Sequence, residues 1–419
     1  MAATSIAAGS GPASASSLPP DGELTDSWIG VTASTIKLGL AHINPDEVAA
    51  LGLDWEGPGA EQLYGAWIAA QNERGGVLGR DLELAFAPYL PIGEAQAEAA
   101  CTKLTEDDEV FAAIGILLGD TSLCFTETHE TPYIGLWGQS AERDERAVAP
   151  FLAIEMADDR QRSAGVQVFL DEGLLDGKRV AVYTEAQDVA VTENTISPML
   201  DEAGVDVTAS MVLDDFGDDQ ATTDATLDTF VERMRADDVD VVLNVSNFAD
   251  LMLAFQRAGW FPEQVLSTSA QPLSADYASG AGIEAESMAH VLVATIYKPA
   301  TADLLADDSF QQCVSEYNDS GLGEPIDVDA ATPDALQGIA DQCASFRLFV
   351  LAAEAAGPDL TPTTFGEAAE GLGEFALPGS PYGSLGPDKH SFGDAAGLYE
   401  YDAEAGRMVL SGEPIVLSG

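Results

Sequence analysis

Hydrophobic and polar positions follow two alternating patterns from residue 30 onward. Short apolar runs read as β-strands, and the longer stretches between them carry apolar side chains at helical spacing. Strands that are apolar on both faces and separated by helices are typical of a parallel sheet with helices on both sides. In this first part of the chain the pattern predicts strands at 35–41, 82–86, 110–115 and 133–136, with helices at 59–72, 94–104 and around Cys124.

The same pattern begins again after residue 158, and so predicts a second, similar α/β lobe. The predicted strands are 179–183, 205–213, 239–245, 264–267 and 288–297, and the predicted helices are 159–170, 194–203, 223–235 and 249–258. Two further helices, 310–318 and 335–355, come next. The tail places Pro378, Pro381 and Pro387 in loops and ends in a hairpin, 397–402 with 407–409.

The net charge says more about possible binding partners than the length of the chain does. The 419 residues are 46% hydrophobic, which suits a folded chain, but 17 Lys and Arg face 71 Asp and Glu for a net charge of −54. Such a surface repels phosphate backbones and anionic lipid, so we expect neither nucleic-acid nor membrane-surface binding. Only 5 of the 17 basic residues are Lys. This balance fits a salty medium, where ions screen self-repulsion, about as well as it fits a merely acidic protein.

Two features of the sequence bear on location, namely the absence of a long apolar run and the composition of the first 29 residues. No run of 18 apolar residues occurs, so no transmembrane helix is expected. Residues 1–29 read as a flexible lead-in rich in Ala, Ser, Gly and Pro. Without a basic segment they are not a complete signal peptide. The first ten residues fit the tail of one, and a misplaced start codon gives the same appearance.

Four cysteines allow three disulfide pairings. The sequential pairing closes two short loops, Cys101 with Cys124 and Cys313 with Cys343, and joins neighbouring helices. Four buried free thiols fit the spacing about equally well, although the even count favours an oxidising compartment. The scattered Cys and His residues suggest no metal site.

Catalytic and cofactor motifs are not recognisable. No phosphate-binding loop, HExxH or GxSxG motif occurs, and Gly371-Leu-Gly373-Glu-Phe-Ala376 follows a helix, so we interpret it as a loop. The many paired carboxylates fit a solvated acidic face. His129 lacks a nucleophile partner and is more simply a surface or packing residue. We therefore expect no enzyme activity and no cofactor.

Two motifs nevertheless carry a resemblance. Gly30-Val-Thr-Ala-Ser-Thr-Ile-Lys-Leu-Gly39 opens the first strand, and Asn72-Glu-Arg-Gly-Gly-Val-Leu-Gly-Arg80 joins a helix to the next strand. The second motif predicts a helix end at which Gly75 or Gly76 takes a positive φ, followed by a turn at Gly79. With the order of elements, these motifs resemble the leucine/isoleucine/valine-binding family of ABC-importer receptors, the type I periplasmic binding proteins, over about residues 30–411.

The resemblance implies two Rossmann-like lobes with parallel sheets, joined by a three-crossover hinge. Lobe 1 would comprise 30–152 plus 298–375, and lobe 2 would comprise 153–297 plus 376–419. It implies an exported, monomeric, periplasmic or cell-surface receptor that passes an amino acid, amide or small carboxylate to a membrane permease. A ligand sensor on the same fold is the alternative, and an α/β enzyme a weaker one. Work outside the cytoplasm also supports the sequential disulfide pairing.

The resemblance also implies which loops bind the solute. In lobe 1 these are the loop after the strand ending at Gly115 and the loop after Leu136, with an aromatic lid that could equally be a packing residue. Asp120 departs from the family pattern and would repel a carboxylate, or else caps a helix. The expected contacts are Trp55, Gly119, Asp120, Thr121, Trp137, Gln139 and Ser140.

In lobe 2 the loops after three strands should face the same cleft. Asp188 stands where the family often has Tyr, while Phe248 could instead pack under its own helix. If Asp120 and Asp188 both reach the cleft, the site would favour a cationic group. No Arg lies in the matched loops, so bidentate capture of a carboxylate is not expected. The expected lobe 2 contacts are Asp188, Asn247, Phe248 and Ser269.

Overall fold

The computed structural model describes residues 24–43, 58–90, 94–117, 119–213, 220–274 and 277–417. The lead-in up to residue 23 and the expected contact Trp55 lie outside the described residues. Across the described ranges, none of the helices combines the length and apolar character needed to cross a bilayer.

Lobe 1 is built on a five-stranded parallel sheet in the order β2-β1-β3-β4-β5. Buried helices cover both faces, as the continuous apolar strands predict. The three-residue strand β5 was not predicted from the sequence. The strands are β1 Thr35–Ile43, β2 Asp81–Tyr89, β3 Ala112–Gly115, β4 Tyr133–Gly135 and β5 Phe151–Ala153, and the helices are α1 Ala60–Glu73, α2 Glu94–Thr102 and α3 Ala141–Arg146.

Lobe 2 is built on an eight-stranded mixed sheet in the order β14-β13-β10-β9-β8-β6-β7, with β15 paired to β13. Strands β6 to β10 are parallel, and the last strands return antiparallel as the predicted hairpin. The strands are β6 Arg179–Glu185, β7 Asp206–Leu213, β8 Val241–Asn244, β9 Gln264–Ser267, β10 Val291–Ile296, β13 Ala395–Asp402, β14 Arg407–Leu410 and β15 Ile415–Val416.

Two layers of helices cover this second sheet. Glycine ends two of the helices in left-handed conformation, at Gly204 with φ 70° and Gly259 with φ 58°. The helices are α4 Asp158–Asp171, α5 Val189–Val191, α6 Ser197–Ala203, α7 Gln220–Ala236, α8 Ala249–Ala258, α9 Tyr277–Gly280 and α10 Ala285–Met288.

The chain then returns to lobe 1 and completes its core. Helices α11 Thr301–Leu305, α12 Asp308–Ser320, α13 Pro333–Ala356 and α14 Pro362–Glu370 are followed by the hairpin β11 Gly373–Leu377 and β12 Ser380–Leu385. Leu377, Leu385 and Phe392 pack in the lobe 1 core. The boundaries between lobes predicted from the sequence stay predictions.

The hairpin corrects two expectations, because residues 373–376 and Pro381 lie in strands rather than loops. Proline lacks an N–H and is tolerated in a strand at an irregularity or an edge. The pairing of β11 with β12 shifts register between Phe375 and Leu377, opposite Pro381. The shift removes the need for a hydrogen bond from the proline.

The Asn72–Arg80 motif forms the predicted turn and also anchors lobe 1. Gly75, Gly76 and Gly79 have φ of 106°, 66° and 92°, and a Cβ on Gly76 would meet the Arg80 carbonyl oxygen at 1.9 Å. Arg80 is itself buried, and its guanidinium donates to the carbonyl oxygens of Thr32, Thr25 and Pro358. The motif therefore ties the segment before β1 to the segment after α13.

Three crossovers connect the lobes. We define the first crossover as residues 154–157 (β5 to α4), the second as 297–300 (β10 to α11) and the third as 386–394 (β12 to β13). Three connections between two sheets agree with the predicted architecture and place a hinge beside all of them.

Both sequential disulfides are present, Cys101–Cys124 and Cys313–Cys343. The second joins α12 to α13, as expected. In the first, Cys101 lies in α2, whereas Cys124 begins a π-helical turn, Cys124–Thr128, rather than a long helix.

We expect replacement of Cys313 and Cys343 by Ala to lower the free energy of unfolding by about 3 kcal/mol, because the bond restricts the unfolded chain. Urea unfolding of the oxidised proteins measures the difference. Adding a reductant should then destabilise the wild type more than this variant, and an equal effect on both would contradict the prediction.

A second prediction concerns pH. His390 of the third crossover bonds Asp144 Oδ1 at 2.8 Å, and this bond, with Glu370 nearby, raises the pKa of His390 despite partial burial. A raised folded-state pKa stabilises the fold fully below the unfolded value of about 6.5, and the gain disappears as pH rises through the folded value. His390→Gln should therefore lower the unfolding free energy near pH 6 and progressively less at higher pH. Asp144→Asn should flatten the same profile, whereas a constant loss at every pH would contradict it.

Candidate functional site

Loops from lobe 1 and the first turn of α4 enclose a cavity of about 200 Å³, called here the cleft cavity. It lies at the carboxyl ends of β3 and β4, the edge where ligands of open α/β sheets bind. Its wall combines backbone, aromatic and oppositely charged groups. The lining residues are Gly115, Ile116, Leu117, Gly119, Ser122, Tyr133, Gly135, Leu136, Trp137, Gly138, Arg143, Phe151 and Asp158.

Arg143 supplies the positive charge of the cavity. Its guanidinium is fixed by Ser140 Oγ at 3.2 Å from Nε and by the Gly119 carbonyl oxygen at 3.3 Å from Nη1. Nη2 forms an ion pair with Asp158 Oδ2 at 2.9 Å. Because guanidinium has five N–H donors, this arrangement leaves donors for an anionic group of a ligand.

The charges continue into lobe 2 with alternating sign. Arg162, one turn along α4 from Asp158, contacts Asp188 Oδ1 at 3.4 Å and the Thr268 carbonyl oxygen at 3.1 Å. Burial raises the pKa of Asp158, and the two arginines act in the opposite direction. Asp188 Oδ2 is buried and has no hydrogen-bond partner among the described residues.

Glu185 lies at the end of β6, beside this row. It is 2% exposed, and its carboxylate accepts from Tyr183 Oη at 2.8 Å and from Gln187 Nε2 at 2.7 Å. Burial raises its pKa, and nearby Asp188 raises it further, while the two hydrogen bonds lower it. Two buried acids therefore lie near the carboxyl end of β6, although neither lines the cleft cavity.

Of the expected lobe 1 contacts, the structure brings Gly119 and Trp137 to the cavity wall. Ser140 begins α3 and accepts from the Arg143 backbone N–H and Nε, so it orients that arginine. Gln139 is buried and donates to Asp144 and the Phe151 carbonyl oxygen, which supports the loop from beneath.

Asp120 is placed differently from the expectation of a cleft acid. Its carboxylate is 63% exposed and pairs with Arg146 Nη1 at 2.5 Å. Thr121 is half-buried in the same short 3-10 turn, Gly119–Ser122. Asp120 pairs with Arg146 and does not line the cavity. The predicted preference for a cationic group of the solute therefore depends on Asp188 alone.

In lobe 2 two of the expected polar contacts, Asn247 and Ser269, form hydrogen bonds within or next to their own loops. Asn247 Oδ1 accepts from the Ala249 N–H at the start of α8 and from Tyr277 Oη. Ser269 is buried, and its Oγ accepts from the Gln271 N–H. Phe248 is fully buried in a lobe 2 core, which favours the packing role that the sequence left open. Solute contacts by these residues stay predictions.

The matched loops contain no arginine, but Arg143 of α3 lines the cleft cavity and was not among the expected contacts. It was missed because only the loops directly after strands were considered, and Arg143 reaches back from the first turn of α3. A signal existed in the sequence. Of the 17 basic residues of this acidic chain, four stand within 143–162: Arg143, Arg146, Arg160 and Arg162.

Metal ligation finds no support in the described ranges. Among those residues, Cys101, Cys124 and His129 are the His, Cys, Asp or Glu group whose ligand atoms lie close together. The two cysteines are bonded to each other, so they offer no thiolate.

Comparison with known proteins identifies the family. A family model described as periplasmic binding protein matches residues 52–406. A search of the curated proteins found no match to this sequence. Among solved structures, the leucine-binding protein LivK of Thermotoga maritima is similar at TM-score 0.63 and 16% identity, over 91% of this chain and 99% of that one.

Two further structures share the fold. A solute-binding protein of an R. palustris ABC transporter, in complex with 4-hydroxybenzoate, has TM-score 0.64 at 14% identity over 91% of this chain and 97% of that one. LivJ of Streptococcus pneumoniae, in complex with isoleucine, has TM-score 0.61 at 14% identity over 92% and 99%. These matches confirm the resemblance that the sequence motifs carry.

The placement of Phe248 predicts a stability effect. Phe248→Ala should lower the free energy of unfolding by about 3–5 kcal/mol, because it empties a core position. The matched variant is Trp137→Ala, whose side chain is 45% exposed and should contribute much less to stability. Chemical denaturation of both variants gives the comparison, and a smaller loss for Phe248→Ala than for Trp137→Ala would contradict the packing role.

Proposed function

Because the chain belongs to the periplasmic binding protein family, we propose that it is a solute-binding receptor of an ABC importer. It captures an amino acid or a similar small polar solute between its lobes. Members of the family bind small molecules and work with ABC-transporter permeases, so a permease is the expected partner. The observation that carries the proposal is the cleft cavity, where Arg143 and Asp158 meet beside Trp137.

The alternating charges favour a solute that carries both signs. A carboxylate can accept from the free N–H donors of Arg143, an interaction stronger than a neutral hydrogen bond. An ammonium group can donate to Asp188 Oδ2, which is buried and lacks a hydrogen-bond partner in the described ranges. An α-amino acid combines the two groups, while the aromatic face of Trp137 suits an apolar side chain.

Location, assembly and the absence of catalysis belong to the same proposal. The family is one of exported receptors rather than enzymes, and two disulfides suit an oxidising compartment outside the cytoplasm. We propose that the protein is periplasmic or displayed at the cell surface, delivers its solute unchanged, and acts as a monomer because one receptor serves one permease.

A thermal-shift screen tests the function. The panel comprises amino acids, amides, polyamines and small carboxylates, with L-leucine, L-isoleucine and 4-hydroxybenzoate included, at low and at high salt. A bound solute at a hundredfold excess over Kd should add about 2.7 kcal/mol of stability. A folded protein that responds to no compound at either salt would contradict the proposal for these classes.

Arg143→Gln locates the binding in the cleft cavity. Loss of a charged hydrogen bond costs about 1.5–3 kcal/mol, so affinity for a carboxylate should fall roughly tenfold to a hundredfold, while an uncharged amide analogue is affected less. Arg233→Gln is the matched control, since Arg233 is 59% exposed and pairs with Asp237 on the outside of α7. Equal affinities in both variants would place the solute elsewhere.

A further inference from the structure

The three crossovers meet around a small cavity of about 20 Å³. All three contribute to its wall, through Glu155 of the first, Lys298 of the second and Gly393 of the third. The three segments are therefore neighbours in space rather than three independent linkers.

Lys298 provides the charged contact among these segments. Its Nζ donates to Glu155 Oε1 at 2.6 Å and to Asp341 Oδ2 at 3.0 Å. Glu155 belongs to the first crossover, whereas Asp341 lies on α13, which packs in the lobe 1 core. One side chain of the second crossover thus links the first crossover to lobe 1.

Backbone hydrogen bonds connect the remaining pairs. The Tyr297 N–H donates to the Ala395 carbonyl oxygen at 2.8 Å, which joins the second crossover to the residue that follows the third. The Phe392 N–H donates to the Ala153 carbonyl oxygen at 2.9 Å, which joins the third to the residue before the first. The Lys298 N–H donates to Tyr399 Oη on β13 at 2.8 Å.

The first crossover leads directly into the candidate site. Glu155 precedes Asp158 by three residues, and Asp158 opens α4 and pairs with Arg143. A displacement of Glu155 therefore tilts the helix that carries both Asp158 and Arg162. Lys298 touches neither the cleft cavity nor a residue that lines it in any contact described for it.

We propose that Lys298 is a positioning residue of the hinge. By holding Glu155 and Asp341 together it fixes the angle between the lobes and so sets the affinity for the solute without contacting it. The effect on affinity rests on the proposed function, whereas the effect on the hinge does not. Without the ammonium group, two partly buried carboxylates face each other uncompensated, which separates the first crossover from α13.

The experiment compares Lys298→Met with a rescue and a matched control. Met keeps the aliphatic stem and removes the charge, and Lys298→Arg restores a cation. The control is Arg347→Met, because Arg347 pairs with Glu316 at 2.7 Å, is buried to a similar degree, and joins α12 to α13 within lobe 1. Both Met variants therefore break a partly buried ion pair, with Glu316 retaining Arg74 as a second partner at 2.7 Å, and only one of these pairs lies at the hinge.

Amide hydrogen exchange of the full chain, without added solute, gives the decisive readout. In Lys298→Met the amides of Ala153, Tyr297, Lys298 and Phe392 should exchange at least tenfold faster than in the wild type. Arg347→Met should leave them unchanged, and Lys298→Arg should restore most of the protection. The proposal is overturned if Ala153 and Phe392 keep wild-type exchange in Lys298→Met, or if Arg347→Met accelerates them equally.

Affinity for whichever of L-leucine, L-isoleucine or 4-hydroxybenzoate stabilises the wild type most completes the test. It should change at least fivefold in Lys298→Met and stay within twofold in Arg347→Met. A loosened hinge with unchanged affinity would overturn the link to binding. If none of the three probes binds the wild type, the proposed function fails for these solutes, while the exchange result still decides the role of Lys298.

Discussion

Strand direction is the constraint on which this structure depends. Parallel strands emerge from a sheet at one edge, so the loops after β3 and β4 and the start of α3 have to converge. The crossover after β5 then brings the first turn of α4 to the same place. Arg143 and Asp158 meet at 2.9 Å for this reason, although they belong to different lobes. The position of the cavity therefore follows from the strand topology, and the side chains that line it decide its chemistry.

Charge at the site contrasts with charge on the surface. The chain carries −54 overall, yet Arg143, Asp158, Arg162 and Asp188 form a row that alternates in sign, and the first two of them line the cleft cavity. A uniformly acidic cleft would repel any anionic group, whereas alternation offers partners of both signs over a short distance. The acidic surface therefore bears on the solubility of the protein and on the ionic medium that suits it. The local order of charges bears on which ligands can bind.

The sequence predicted the framework well, because its signals are local. Apolar runs located most strands, and the Asn72–Arg80 motif predicted a positive-φ turn that the structure contains. Arg143 escaped because its position depends on a helix folding back over the previous loop, which no spacing rule reports. The strands around Pro381 escaped because a register shift, visible only in three dimensions, accommodates the proline. Local sequence patterns specify the helices and strands. The geometry of the site depends on long side chains and irregular strand pairing, which only the tertiary structure shows.

The two disulfides lie within lobe 1, whereas the contacts between the lobes are non-covalent apart from the three crossovers. All four cysteines form two disulfides, and the buried sulfurs of both belong to lobe 1 cores. No covalent link other than the three crossovers therefore joins the lobes, so non-covalent contacts (apolar packing, ion pairs and hydrogen bonds) oppose a change in their angle. Contacts such as Lys298 with Glu155 can break and re-form without redox chemistry, whereas a disulfide opens only by reduction or thiol exchange. Lobes joined by non-covalent contacts and three crossovers can change their angle to admit and release a solute, which a disulfide across the cleft would oppose.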